Sequence, residues 1–113
     1  MPVNSISSGR SGDINEVTLD ATSATQSEWI QATYKLIVQV TGAATAVSID
    51  IERSTINPVM AAANPAKVAT ITGNPATGIT PSIYEEPGAG WWRAKLTSIT
   101  GTPVHISIQA PEA

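Results

Sequence analysis

Two runs near the C-terminus have a strict two-residue rhythm. Trp92, Ala94 and Leu96 alternate with Trp91, Arg93 and Lys95, and Val104, Ile106 and Ile108 alternate with His105, Ser107 and Gln109. Successive side chains of an extended chain point to opposite faces, so each run describes a strand with one buried and one polar side. The turn residues Thr100 to Pro103 lie between them, and Glu85-Glu86-Pro87-Gly88 bends the chain before them. The segment from Glu85 to Gln109 therefore reads as one β-hairpin.

The same rhythm recurs upstream. Val17 and Leu19 alternate with acidic residues and Thr18, which predicts a short strand. From Trp29 to Val40 the pattern places Tyr34, Leu36, Val38 and Val40 on one side. A turn at Gly42 to Ala46 then leads to Val47, Ile49 and Ile51, so a second hairpin is expected. Tyr34 to Ile51 and Trp92 to Ile108 share an order of aromatic residue, basic residue, strand, Thr-Gly turn and Val-x-Ile-x-Ile. The spacing suits two similar hairpins in facing sheets, not a solenoid array.

The stretch Ser54 to Pro81 is broken by Asn57-Pro58, Asn64-Pro65 and Asn74-Pro75. Each pair favours a turn and disfavours helix at its first residue. A long connection is expected, with one helical turn over Pro58 to Ala63, a short strand over Lys67 to Thr72, and a lead-in from Ile79 to Tyr84. With seven or eight short strands and no long helix, the fold class is all-β: a β-sandwich of jelly-roll or immunoglobulin-like type. Residues 1–14, rich in Ser, Gly and Asn, form an extended, flexible N-terminal arm, and residues 15–113 form a single β-sandwich domain.

A chain of 113 residues buries about two-thirds of its unfolded surface, so one core is within reach. The absence of Cys excludes disulfides and thiolate metal sites. A net charge of −3 with six scattered Lys and Arg residues argues against nucleic acid as a partner, since tracking phosphates needs clustered positive charge. Charges at Arg10, Asp13, Glu16, Asp20 and Glu28 interrupt any apolar run in the first thirty residues. Neither a signal peptide nor a membrane span is expected, nor a membrane partner, and synthesis in the cytoplasm follows.

Candidate chemistry is sparse. His105 is the lone histidine and falls on a polar strand face, where a solvated or interface role outweighs catalysis or metal binding. Asp50 and Glu52 share a strand face at about 7 Å, the spacing of a glycosidase carboxylate pair, but no aromatic platform is encoded beside them. Glu85 and Glu86 are expected to be solvated or paired with Arg93 or Lys95. Asp13 to Val17 starts like a calcium loop and then lacks its ligand pattern and Gly. The hydroxyl-rich segments lack Gly-x-Ser-x-Gly, and Gly88-Ala89-Gly90 precedes a strand where a phosphate loop needs a helix. The expectation is a non-enzyme with no catalytic, metal or cofactor site.

Surface contact is the remaining possibility. Trp91 and Trp92, as strand neighbours, face opposite ways, which makes Trp92 core and turns Trp91 outward between Arg93 and Lys95. Trp91, Arg93 and Lys95 are candidate interface residues, and Val3, Ile6, Arg10 and Ile14 are candidate contacts of the arm.

On these residues the chain resembles small bacteriophage virion proteins, including head decoration or cement proteins. The resemblance rests on the strand end Val47 to Ser54, with its Val-x-Ile-x-x-x-Arg-Ser pattern, the acidic-Pro-Gly bend Glu85 to Gly90, Trp92-Arg93, and the Thr-Gly segment Thr97 to Ile108. It covers about residues 29 to 109. Related members often have an Asp-Gly-Gly turn and a Trp after the Arg-Ser, where this chain has the Pro-broken stretch Thr55 to Lys67. The resemblance implies a β-sandwich or jelly-roll subunit, commonly a homotrimer, on the virion capsid surface across joints between copies of the major capsid protein. The same pattern occurs in tail and neck proteins, and a carbohydrate-binding module for host attachment is the alternative outside that class.

Overall fold

The computed structural model describes residues 14–58, 65–84 and 90–111. Among them are nine strands: β1 (Ile14–Ala21), β2 (Thr25–Gln26), β3 (Ile30–Ala32), β4 (Leu36–Gly42), β5 (Ala46–Ser54), β6 (Ala66–Gly73), β7 (Ser82–Tyr84), β8 (Gly90–Thr100) and β9 (Val104–Pro111). They form two antiparallel sheets. One has the order β1-β9-β4-β7, and the other has the order β2-β8-β5-β6 with β3 also on β8.

β2 and β3 pair with successive parts of β8, Thr25 opposite Leu96 and Ile30 opposite Trp92, so they are two pieces of one interrupted strand. Counted that way there are eight strands in two sheets of four, ordered 1-8-3-6 and 2-7-4-5. This is a jelly roll, in which two Greek keys wrap around one another. The expected sandwich is therefore the fold, and its strand order selects the jelly roll over the immunoglobulin-like alternative.

The interruption is built by Ser27. Its amide donates to the Ala94 carbonyl at 2.8 Å, and its hydroxyl accepts from the Ala94 amide at 2.9 Å. A buried serine thus keeps the strand's hydrogen bonding complete where the backbone breaks.

The core is what the alternation predicts. Trp92, Ala94, Leu96, Ile49 and Ile51 face Val38, Val40, Val104, Ile106 and Ile108 between the sheets, all buried. Trp92 is the largest of these, with no exposed surface, and it stacks with Tyr84 at 6.2 Å between centroids.

The connectivity corrects both expected hairpins. β4 belongs to one sheet and β5 to the other, and β8 and β9 are divided in the same way. Each Thr-Gly turn therefore carries the chain across the core from sheet to sheet. The two crossings lie against each other, because β4 pairs with β9 and β5 with β8. Ala43 and Ala44 donate to the Pro103 carbonyl at 3.0 Å, and Thr45 donates to Thr100 at 2.8 Å. Gly42 makes this stacking possible. Its φ is +126°, and a Cβ there would lie 2.4 Å from the Pro103 oxygen.

Other expectations shift. Tyr34 lies outside the strands and is exposed. The stretch from Trp29 to Val40 is split between β3 and β4 in different sheets. The strand expected at Lys67 to Thr72 runs from Ala66 to Gly73, and the lead-in before β8 contains β7. Asn74-Pro75 does make a turn, with the Asn74 side-chain oxygen accepting from the Ala76 amide at 2.9 Å. Residues Ile14 to Val17 are strand, not a calcium loop. Most of the expected helical turn, residues 59–63, lies outside the described residues, as do Glu85 and Glu86.

Candidate interaction surface

The outer face of the β2-β8-β5-β6 sheet collects charged and aromatic side chains of β5 and β8. On β8, Trp91, Arg93 and Lys95 lie opposite Ser54, Glu52 and Asp50 of β5. Period-two alternation puts all six on the face away from Trp92 and Ala94.

Arg93 is the organising residue. Its Nε donates to Glu52 Oε1 at 2.7 Å, and its guanidinium lies 4.5 Å from the ring centroid of Trp29. The side chains of Arg93 and Glu52 are only 16% and 13% exposed. A guanidinium that is both ion-paired and stacked is held in one orientation. Among the described residues its ion-pair partner is Glu52, directly across the rung on β5, while Glu85 and Glu86, the partners expected for it or for Lys95, lie outside the described residues. Trp29 supplies the aromatic neighbour that the sequence did not place beside the acidic pair. It reaches the site because it follows the Ser27 interruption, just before β3.

These contacts occupy the two carboxylates. Glu52 is committed to Arg93, and Asp50 accepts from the Thr70 hydroxyl at 3.1 Å. Trp91 is half-buried on this face, between Gln31 of β3 and Ser54 of β5 in register. Lys95 is exposed. Trp91, Arg93 and Lys95 thus lie on one sheet face. Of the arm residues, Ile14 is the first residue of β1, opposite Pro111, while Val3, Ile6 and Arg10 lie outside the described residues.

His105 is on the outer face of the other sheet. It pairs through Nδ1 with Asp20 on the neighbouring strand, and both side chains are substantially exposed. Beside them Ser107 donates to Glu16 at 2.8 Å, and Gln109 bonds the same carboxylate at 3.3 Å. At the far edge of this face, Ile37 and Ile83 are register partners, and Ile83 is 58% exposed. Among the described residues, no cluster of three His, Cys, Asp or Glu side chains is placed to hold a metal, and no helix is long and apolar enough to cross a membrane.

Neither a family model nor a curated protein matches the chain. Among solved structures, it is similar to the SPBc2 prophage-derived protein YomS. The TM-score is 0.62 at 13% identity, covering 99% of this chain and 100% of that one. At this identity the likeness is one of fold, and it extends over the whole jelly roll.

Proposed function

We propose that this chain is a bacteriophage structural protein that binds the outer surface of the capsid as a decoration, or cement, protein. It acts as a homo-oligomer, a trimer, seated on the major capsid protein, and it works by binding, without catalysis, cofactor, nucleic acid or membrane. The observation that carries the reading is the end-to-end likeness in fold to a prophage-derived protein. The face bearing Trp91, Arg93 and Lys95 supports it. A half-buried tryptophan beside an immobilised arginine is the composition of an interface anchor, since little side-chain entropy remains to be lost on docking. Repetition adds to this, because each further subunit of an oligomer meets the capsid lattice at high effective concentration.

The test is to mix the purified chain with capsids of the parent phage lacking this protein, and to measure occupancy by sedimentation and capsid survival on heating. Saturable binding with raised capsid stability is expected, and Trp91→Ala should weaken it. Absence of binding to capsids, with binding to tails or necks, would move the protein to those parts of the virion. Jelly rolls also serve as lectin domains, and the Trp29 and Trp91 rings on one face give that reading its footing. Retention on a glycan array with no capsid binding would favour it.

A further inference from the structure

A jelly roll leaves four sheet edges, and an exposed edge templates pairing with another chain unless something blunts it. Three edges here are blunted. β1 carries Glu16 and Asp20, the β2–β3 edge is interrupted at Ser27, and β7 is three residues long and follows Pro81. The fourth edge, β6, is protected only in its first half, by Lys67 and by the register shift that makes Val68 an extra residue. From Thr70 to Gly73 it is regular and uncharged, and among the described residues it pairs only on its β5 side. This half of β6 forms one wall of an open groove of about 470 Å³, with Thr80, Ser82 and Tyr84 across from it.

We infer that this groove accepts the N-terminal segment of a second copy of the chain, laid along Thr70 to Gly73 as an added strand. The chemistry matches. Met1 to Gly9 contains no charged side chain, as the acceptor edge contains none, and its Ser and Gly residues permit close backbone approach. Val3 and Ile6 are apolar residues within that stretch, and the partly buried Ile79 and Tyr84 line the groove beside Ile71, whose side chain is in the core. The topology indicates a second copy as the donor. Residues 1–13 precede β1, and β1 and β7 are opposite edges of their sheet, so donor and acceptor lie on opposite sides of one molecule. That arrangement is heterologous, and copies joined head to tail in this way form a ring where the rotation between them closes. With Ile6 docked, residues 7–13 are the linker and span about 23 Å when extended, enough to bridge to an adjoining copy but shorter than the 36 Å length of one molecule.

The inference deepens the oligomer of the reading above and is tested without capsids, so its failure leaves capsid binding standing. The chain has no Cys, so introduced thiols report unambiguously. Ile6→Cys and Thr72→Cys are prepared as separate variants, mixed, oxidised and digested, and the 6–72 disulfide is quantified by mass spectrometry. A mixture of Ile6→Cys with Thr18→Cys, on the opposite edge, is the control. Because a docked strand holds the thiols at high effective concentration, roughly tenfold more 6–72 than 6–18 product is expected. Ile6→Asp should shift the solution mass of the chain, by light scattering, toward monomer with its far-ultraviolet circular dichroism unchanged. Equal 6–72 and 6–18 yields would overturn the inference. So would a 6–72 link that forms within single molecules when Ile6→Cys and Thr72→Cys are combined in one chain but not between the separate variants, or an oligomer indifferent to Ile6→Asp.

Discussion

Arg93 and Glu52 form an ion pair of 2.7 Å across the β5–β8 rung, with both side chains largely withdrawn from water. Removing either partner leaves the other charge partly buried and without its counterpart. Glu52→Gln and Arg93→Ala are each expected to lower stability by about 1.5 to 3 kcal/mol, the range for a hydrogen bond to a charged group. Denaturant unfolding of the two single variants and the double variant checks this, and a double-mutant loss well below the sum is the expected sign of direct coupling.

Trp92→Ala should cost about 3 to 5 kcal/mol, because it empties the largest buried side chain of the core. Trp91→Ala should cost under about 1 kcal/mol, since it removes a half-buried ring from the sheet surface. Thermal unfolding of the pair distinguishes them, and equal losses would show that the outer ring is also structural.

At Gly42 the space for a methyl group is taken by the Pro103 carbonyl, whereas at Gly78 nothing lies within 4 Å. Both have positive φ, so both alanine variants carry about 1 kcal/mol or more of backbone strain. Gly42→Ala should lose clearly more, because the two crossings must separate to admit the methyl. Comparison of the two unfolding midpoints isolates that difference.

Ser27→Ala removes the acceptor for the Ala94 amide. A loss of about 1 to 3 kcal/mol is expected for the orphaned donor. Hydrogen exchange should also accelerate at Ala94 while the amide protection of β9 is kept.

Alternation alone identified the faces. Trp92 and the Val104, Ile106 and Ile108 row are buried where a period of two puts them. What alternation does not encode is the partner of a strand. A turn returning within one sheet and a turn crossing to the other both bury Val38 and Val40 before it and Val47 and Ile49 after it, so the crossings were legible only as hairpins. For the site, Trp91, Arg93 and Lys95 share a face by simple parity. Trp29 and Glu52 meet Arg93 through the Ser27 interruption and the β5–β8 register, which depend on residues about forty to sixty-five positions apart in the chain.

The position of β9 has a consequence for how the molecule comes into being. It is the last strand of the described chain, yet it lies between β1 and β4 in its sheet. During synthesis β1 emerges first and remains without its pairing partner until β9 follows. The first sheet is thus completed only once β9 has been made, after the β5–β8 ladder can form. Vectorial synthesis therefore leaves the inner face of that ladder waiting for Val104, Ile106 and Ile108 to cover it, which makes the nascent chain, more than the finished protein, the form most exposed to aggregation.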